Sequence, residues 1–196
     1  MRDPITARRA HGAVMGGVLT LGLSLILAPK TALAVEREHH FGLDAGLSVL
    51  RVGDKASTDI GGGVGLHYAY GVTDQFNFAA EIGTSLVAIG ETGDAMTPRT
   101  RPATVSHGGV GATYVLDITR WVPYFGVLVG PAYFAGGTVD GGKLLPDGQL
   151  ALGLDYKLNP SWAVGAAVRQ HFFFTDMTDY PTYTNVFARF EYTWGF

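Results

Sequence analysis

Acidic, basic and imidazole side chains recur in this 196-residue sequence at one kind of position. Asp44, His67, Glu81, His107, Asp155, Lys157, Arg169, His171, Arg189 and Glu191 all fall on the polar side of stretches in which apolar and polar residues alternate. A period of two sends successive side chains to opposite faces of an extended strand, so these groups share one face. Carboxylates and guanidiniums gathered away from water are costly unless each finds a counter-charge. Asp44, Glu81, Asp155, Arg169, Arg189 and Glu191 are the predicted charge cluster, and the similar heights of Glu81, Arg169, Arg189 and Glu191 along their strands predict pairing. The histidines come from separate strands, with His39-His40 apart from the rest, which is not the spacing of a zinc site. The runs Gly61-Gly62-Gly63-Val64-Gly65 and Gly108-Gly109-Val110-Gly111 lack G-x-G-x-x-G or Walker spacing and a following helix, so they read as strand glycine. No catalytic, cofactor-binding or metal-binding residue is assigned.

Eight alternating segments must position these groups. Strand one runs from about His40 to Val52, with Phe41, Leu43, Ala45, Leu47 and Val49 opposing Gly42, Asp44, Gly46 and Ser48. Strand two, Ile60 to Val72, sets Val64, Leu66, Tyr68 and Tyr70 against Gly63, Gly65, His67 and Ala69. Strand three opposes Phe76, Phe78, Ala80 and Ile82 to Asn77, Ala79, Glu81 and Gly83. Strand four spans about Val105 to Leu116 and strand five Trp121 to Phe134. Strand six alternates Leu150, Leu152, Leu154 and Tyr156 with Ala151, Gly153, Asp155 and Lys157. Strand seven carries Trp162, Val164, Ala166 and Val168 opposite Gly165, Ala167, Arg169 and His171. The eighth holds Val186 and Ala188 and ends the chain. Connections after strands two, four and six are short. Those after one, three, five and seven are long, covering Gly53 to Asp59, Gly90 to Thr104, Ala135 to Pro146 and Thr175 to Thr182, the asymmetry of a transmembrane barrel.

Both termini agree with a membrane barrel. From Arg189 to Phe196, the residues Phe190, Tyr192, Trp194 and Phe196 form one aromatic stripe, which suits a lipid-facing girdle. At the other end, Arg2, Arg8 and Arg9 precede the uncharged stretch Ala13 to Ala28, and Ala32-Leu33-Ala34 is a small-x-small cleavage pattern. That stretch is 16 residues long, short of the ~20 a spanning helix needs. Residues 1–34 are expected to be a signal peptide and 35–196 a single barrel domain. Without the first 34 residues, the 14 basic and 17 acidic side chains fall to 10 and 16, a net charge of −6 with no basic cluster, which argues against nucleic acid. The chain has no cysteine, which excludes disulfides, thiolate metal sites and cysteine nucleophiles.

The hairpins "YGVTDQFNFAAEIG" and "YVLDITRWVPYFGVLVG" and the terminus "ARFEYTWGF" resemble the small eight-stranded outer-membrane family of the outer-membrane protein A and X type. The resemblance implies an all-β fold, an eight-stranded antiparallel up-and-down transmembrane β-barrel, in the outer membrane of a Gram-negative bacterium. It implies outer-membrane lipid and lipopolysaccharide as surroundings and extracellular ligands reached through the loops. Tyr192, Trp194 and Phe196 resemble the C-terminal signal read by the barrel-assembly machinery. No peptidoglycan-binding domain follows the barrel in this sequence.

Three function classes follow. The first is a structural or surface-interaction barrel, because an eight-stranded barrel is narrow enough to be filled by its own side chains. The second is a narrow channel for small or apolar solutes, for which the inward glycines leave space. The third is a lipid A-modifying enzyme, since some small barrels acylate or deacylate that lipid. Arg169-Gln170-His171 resembles part of a deacylase site, but Phe173 stands where the nucleophilic serine is needed, so His171 has nothing to activate. The expectation is a non-enzymatic barrel.

Overall fold

The computed structural model describes residues 37–53, 57–88, 101–117 and 119–195, so the expected signal peptide and Phe196 lie outside the described residues. Eight strands follow one another: β1 (His39–Val52), β2 (Ser57–Gly71), β3 (Phe76–Ala88), β4 (Thr104–Val115), β5 (Trp121–Ala135), β6 (Lys143–Asn159), β7 (Trp162–Phe173) and β8 (Thr182–Trp194). Each pairs antiparallel with its sequence neighbours, and β8 returns to β1 to close the barrel. His39 pairs with Trp194 and Asp44 with Arg189, so the start of β1 and the end of β8 lie on one side of the barrel.

The alternation read from the sequence holds on every strand. Leu43, Leu47, Val64, Ile82, Val127 and Leu152 are exposed on the outer wall, whereas Asp44, Ser48, His67, Glu81, Leu128 and Asp155 are buried inside. A closed barrel leaves no strand edge unpaired, and its outer wall is apolar because its solvent is hydrocarbon.

Two boundaries differ from expectation, both at the end opposite the start of β1 and the end of β8. β6 begins at Lys143 instead of near Leu150, shrinking the expected Ala135–Pro146 loop to residues 136–142. β2 begins at Ser57, so the first loop spans only 53–56 and is no longer than the turn at 72–75. The expected length asymmetry therefore holds for three of the four loops. The physical reason is that backbone pairing continues through Ser57, Thr58, Lys143 and Asp147, where the sequence no longer shows a regular polar–apolar alternation. The backbone ladder persists after the side-chain signal has ended.

Two irregularities lie within the wall, one a register shift of the β6–β7 ladder between Lys157 and Asn159. In the other, the β4–β5 ladder passes from His107–Ala132 to Val110–Val129, skipping Gly108 and Gly109. Pro131 stands in the skipped stretch of β5 and has no N–H to give to the ladder.

Candidate functional site

The interior is built in three levels. In the lower one, nearest the start of β1 and the end of β8, Arg169 Nη2 donates to Asp44 Oδ2 at 2.8 Å, and Arg169 Nε lies 2.8 Å from Glu81 Oε2. Arg189 lies 3.5 Å from Asp44, 3.4 Å from Asp155 and 3.1 Å from Glu191. The structure thus brings together all six residues of the expected cluster, Asp44, Glu81, Asp155, Arg169, Arg189 and Glu191. Their strands are not all neighbours. Glu81 on β3 and Arg169 on β7 meet across the lumen, which no ladder register encodes.

Aromatic rings brace the two arginines. The Arg189 guanidinium sits 4.6 Å from the centre of the Tyr124 ring and that of Arg169 5.5 Å from Phe187, within cation–π range. The inward glycines make room for neighbouring side chains. A Cβ on Gly42 would lie 2.3 Å from His67 Cε1, and one on Gly153 would lie 2.2 Å from the Tyr124 ring. Space that the sequence left open to a water path is filled at these positions by rings.

Above the ions lies a level of which the sequence reading placed His107, His171 and Ser48 inward but missed their partners. Buried His171 faces Asp147 at 2.6 Å and Asn185 at 3.0 Å; Asn185 accepts from Ser48 at 2.6 Å, Ser48 meets Ser85 at 2.6 Å, and the Tyr183 hydroxyl donates to Ser85 at 2.7 Å. Gln149 donates to Asp147 at 3.0 Å, and the His107 and His171 rings are 4.7 Å apart. Asp147 escaped notice because β6 was expected to start later. Tyr183 and Asn185 lie next to the expected loop, and an inward serine carries no signal of its own.

The top level is apolar. Leu50, Val52, Val87, Val105, Ala132, Phe134, Leu145, Phe173, Tyr180 and Tyr183 form one buried cluster. Tyr180 comes from the β7–β8 connection and stacks on Phe134 with ring centres 4.6 Å apart. Burial raises its hydroxyl above the ordinary tyrosine range, with Asp179 and Asp176 adding to the effect. Lys143 pairs with Asp176 at 3.1 Å and holds that connection to β6.

Below the ions a cavity of about 90 Å³ is lined by Ala79, Tyr124, Leu128, Ala151, Asp155 and Arg189 and extends to the turn residues Asp74, Asp117 and Pro160. Lys157 pairs with Asp117 near this entrance. His171, the one histidine with a deacylase-like context, is fully buried, and Phe173 beside it is 1 % exposed. Tyr192 and Trp194 point outward, stacked with ring centres 5.7 Å apart, and Trp162 stacks on Phe190 at 4.8 Å.

An eight-stranded antiparallel barrel, apolar outside and filled with paired ions inside, is the architecture of a small outer-membrane protein. The model of the outer membrane protein beta-barrel domain matches residues 18–193, and the chain belongs to that family. It is an outer-membrane protein. None of the curated proteins matches the sequence. Among solved structures, Neisserial surface protein A is 14% identical and covers 79% of this chain and 96% of its own, with a TM-score of 0.60. Ail, the attachment invasion locus protein of Yersinia pestis, is 14% identical over 82% of this chain and 100% of its own, with a TM-score of 0.54. The N-terminal β-barrel domain of Pseudomonas aeruginosa OprF is 11% identical over 81% and 98%, also with a TM-score of 0.54. At these identities the likeness is one of fold.

Proposed function

We propose that the chain is a non-enzymatic surface barrel whose rigid, closed wall presents extracellular loops to a partner. The observation that carries this reading is the double closure of the lumen, by the Asp44–Arg169–Glu81 ions below and the Leu50–Phe134–Tyr180 cluster above. A barrel blocked at two levels has its outer loops left as the means of acting on its surroundings. Loop composition suggests the partner's charge. Asp54, Glu91, Asp94, Asp140, Asp176 and Asp179 stand against Lys55, Arg99 and Arg101 in the loop sequences. The related Ail was solved with the heparin analogue sucrose octasulfate, a polyanion. The acidic loops here favour a neutral or cationic partner instead.

Maturation belongs to the same reading. Residues 1–34 are removed on export, the barrel-assembly machinery reads Tyr192, Trp194 and Phe196, and lipid with lipopolysaccharide surrounds the wall. Deletion of Phe196 is expected to leave export intact while folded, heat-modifiable protein in the outer membrane falls. The narrow-channel reading is favoured by one observation, the cavity that reaches Arg189 and Asp155 from the turn side. Planar-bilayer recording separates the two. The closed barrel gives no ion steps, and regular single-channel steps from the purified protein would overturn it in favour of the channel.

A further inference from the structure

The carboxylates of the lower level outnumber its permanent cations. Asp44, Glu81, Asp155 and Glu191 face only Arg169 and Arg189. Excess negative charge in a water-poor interior is relieved by a further positive charge or by a proton on a carboxyl. His67 stands where a positive charge would act on two carboxylates at once. Its Nδ1 is 3.0 Å from Asp44 Oδ2 and its Nε2 is 3.0 Å from Glu191 Oε2.

The same Nε2 is also 2.7 Å from Arg189 Nη2, which can only donate. One nitrogen cannot serve both neighbours in one protonation state. A neutral imidazole with its hydrogen on Nδ1 donates to Asp44 and accepts from Arg189. An imidazolium donates to Asp44 and Glu191 and repels the guanidinium.

We infer that His67 is a proton-binding site that switches the lower level between two hydrogen-bonding patterns. Taking up a proton moves Nε2 from Arg189 to Glu191 and frees Arg189 to close on Asp155 and Asp44, from which it stands 3.4 and 3.5 Å away. Gly42 leaves the ring its space. The cavity on the turn side is lined by His67, Arg189 and Glu191 and supplies the route for the proton, while the apolar cluster blocks the opposite side. The groups facing this switch are Asp44 and His40 from β1, Glu81 from β3 with His107 of β4 behind it at 3.9 Å, Asp155 from β6, Arg169 from β7, and Arg189 and Glu191 from β8. The Tyr124 ring of β5 lies against Arg189. His40 also touches Glu191, at 2.9 Å, and is the competing proton acceptor.

The test is a titration from about pH 8 to about pH 5, the range in which histidine changes charge. The ¹⁵N-labelled barrel in lipid nanodiscs is followed at the His67 ring nitrogens and the Arg189 guanidinium. The expected result is that His67 passes from one protonated nitrogen to two, and that the Arg189 signals shift with the same midpoint. His40→Gln keeps this joint transition, whereas His67→Gln abolishes the Arg189 shift. The inference is overturned if Arg189 stays fixed while His67 titrates, if His67 does not change over the range, or if the Arg189 shift survives in His67→Gln. Should His67→Gln fail to fold, the wild-type midpoints decide the matter. An Arg189 midpoint that follows His40 instead of His67 overturns it as well.

Discussion

Asp44 and Leu50 point into the same barrel from the same strand, six residues apart, yet the first lies among guanidiniums and the second in an apolar cluster. The half nearest the start of β1 and the end of β8 is filled with ions and girdled outside by Trp121, Tyr156, Trp162, Tyr192 and Trp194. In the opposite half apolar side chains face inward, closing over the hydroxyl and histidine level beneath them. Both fillings exclude water, but by different physics. Ion pairs lock particular partners at fixed angles and are vulnerable to the loss of either one, whereas apolar packing tolerates exchange and depends on volume. The ionic half abuts a cavity on the turn side, where a desolvated charge has polar company. The apolar half meets the large loops, where Tyr180 covers it.

The sharpest way to break this contrast is to orphan a charge. Glu81→Ala removes a carboxylate 2.8 Å from Arg169 and should cost about 3–5 kcal/mol of unfolding free energy in lipid vesicles. The Glu81→Ala/Arg169→Ala pair should lose less than the sum of the single variants. Additive urea midpoints would mean that water, not Glu81, solvates Arg169.

Phe134→Ala should cost roughly 3–5 kcal/mol by leaving a cavity among Leu50, Phe173 and Tyr180. Its cost should be the same in low and high salt, because packing is not screened. A strong salt dependence would remove the distinction between the halves.

On the outer wall, Leu152→Arg should cost about 2–4 kcal/mol near mid-membrane, while a polar substitution at inward-facing Leu128 avoids contact with hydrocarbon. Vesicle folding of Leu152→Arg as stable as wild type would show that the β6 face is misassigned. The smallest effect is expected at Gly42→Ala. Its Cβ would meet His67 and the Phe190 carbonyl, an overpacking worth about 1–3 kcal/mol. The His67 ring resonances should shift with it, and unchanged spectra would indicate a looser ionic half than the distances imply.

The fold was legible because hydrocarbon and lumen impose opposite solvents on alternate residues. Val64, Leu66 and Tyr68 against Gly63, Gly65 and His67 leave little choice of face. Strand ends were legible on the turn side, where aromatic residues mark them, and on the loop side at every strand but β2 and β6. At those two ends the regular polar–apolar alternation stops, so the extensions of β2 and β6 were invisible. The six charged residues of the lower level could be named for the same reason that the faces could. The pairing in the Asp147–His171–Asn185–Ser48 level could not, since Asp147 precedes the residues in which the β6 alternation was read and serine and asparagine suit many environments.

By itself the sequence determined the strand number, the order of pairing and which residues face inward, because period-two patterning is local and repeats through each strand. It also assembled the inventory of lumen charges. Only the tertiary structure decided which charge meets which, because closing β8 on β1 brings β3 and β7 face to face across the lumen. It likewise decided that His67 sits between Asp44, Glu191 and Arg189, and that a tyrosine from the β7–β8 connection stacks on Phe134. Contacts across a closed barrel depend on its diameter and on the glycines that let rings approach, and neither is encoded in the spacing along a single strand.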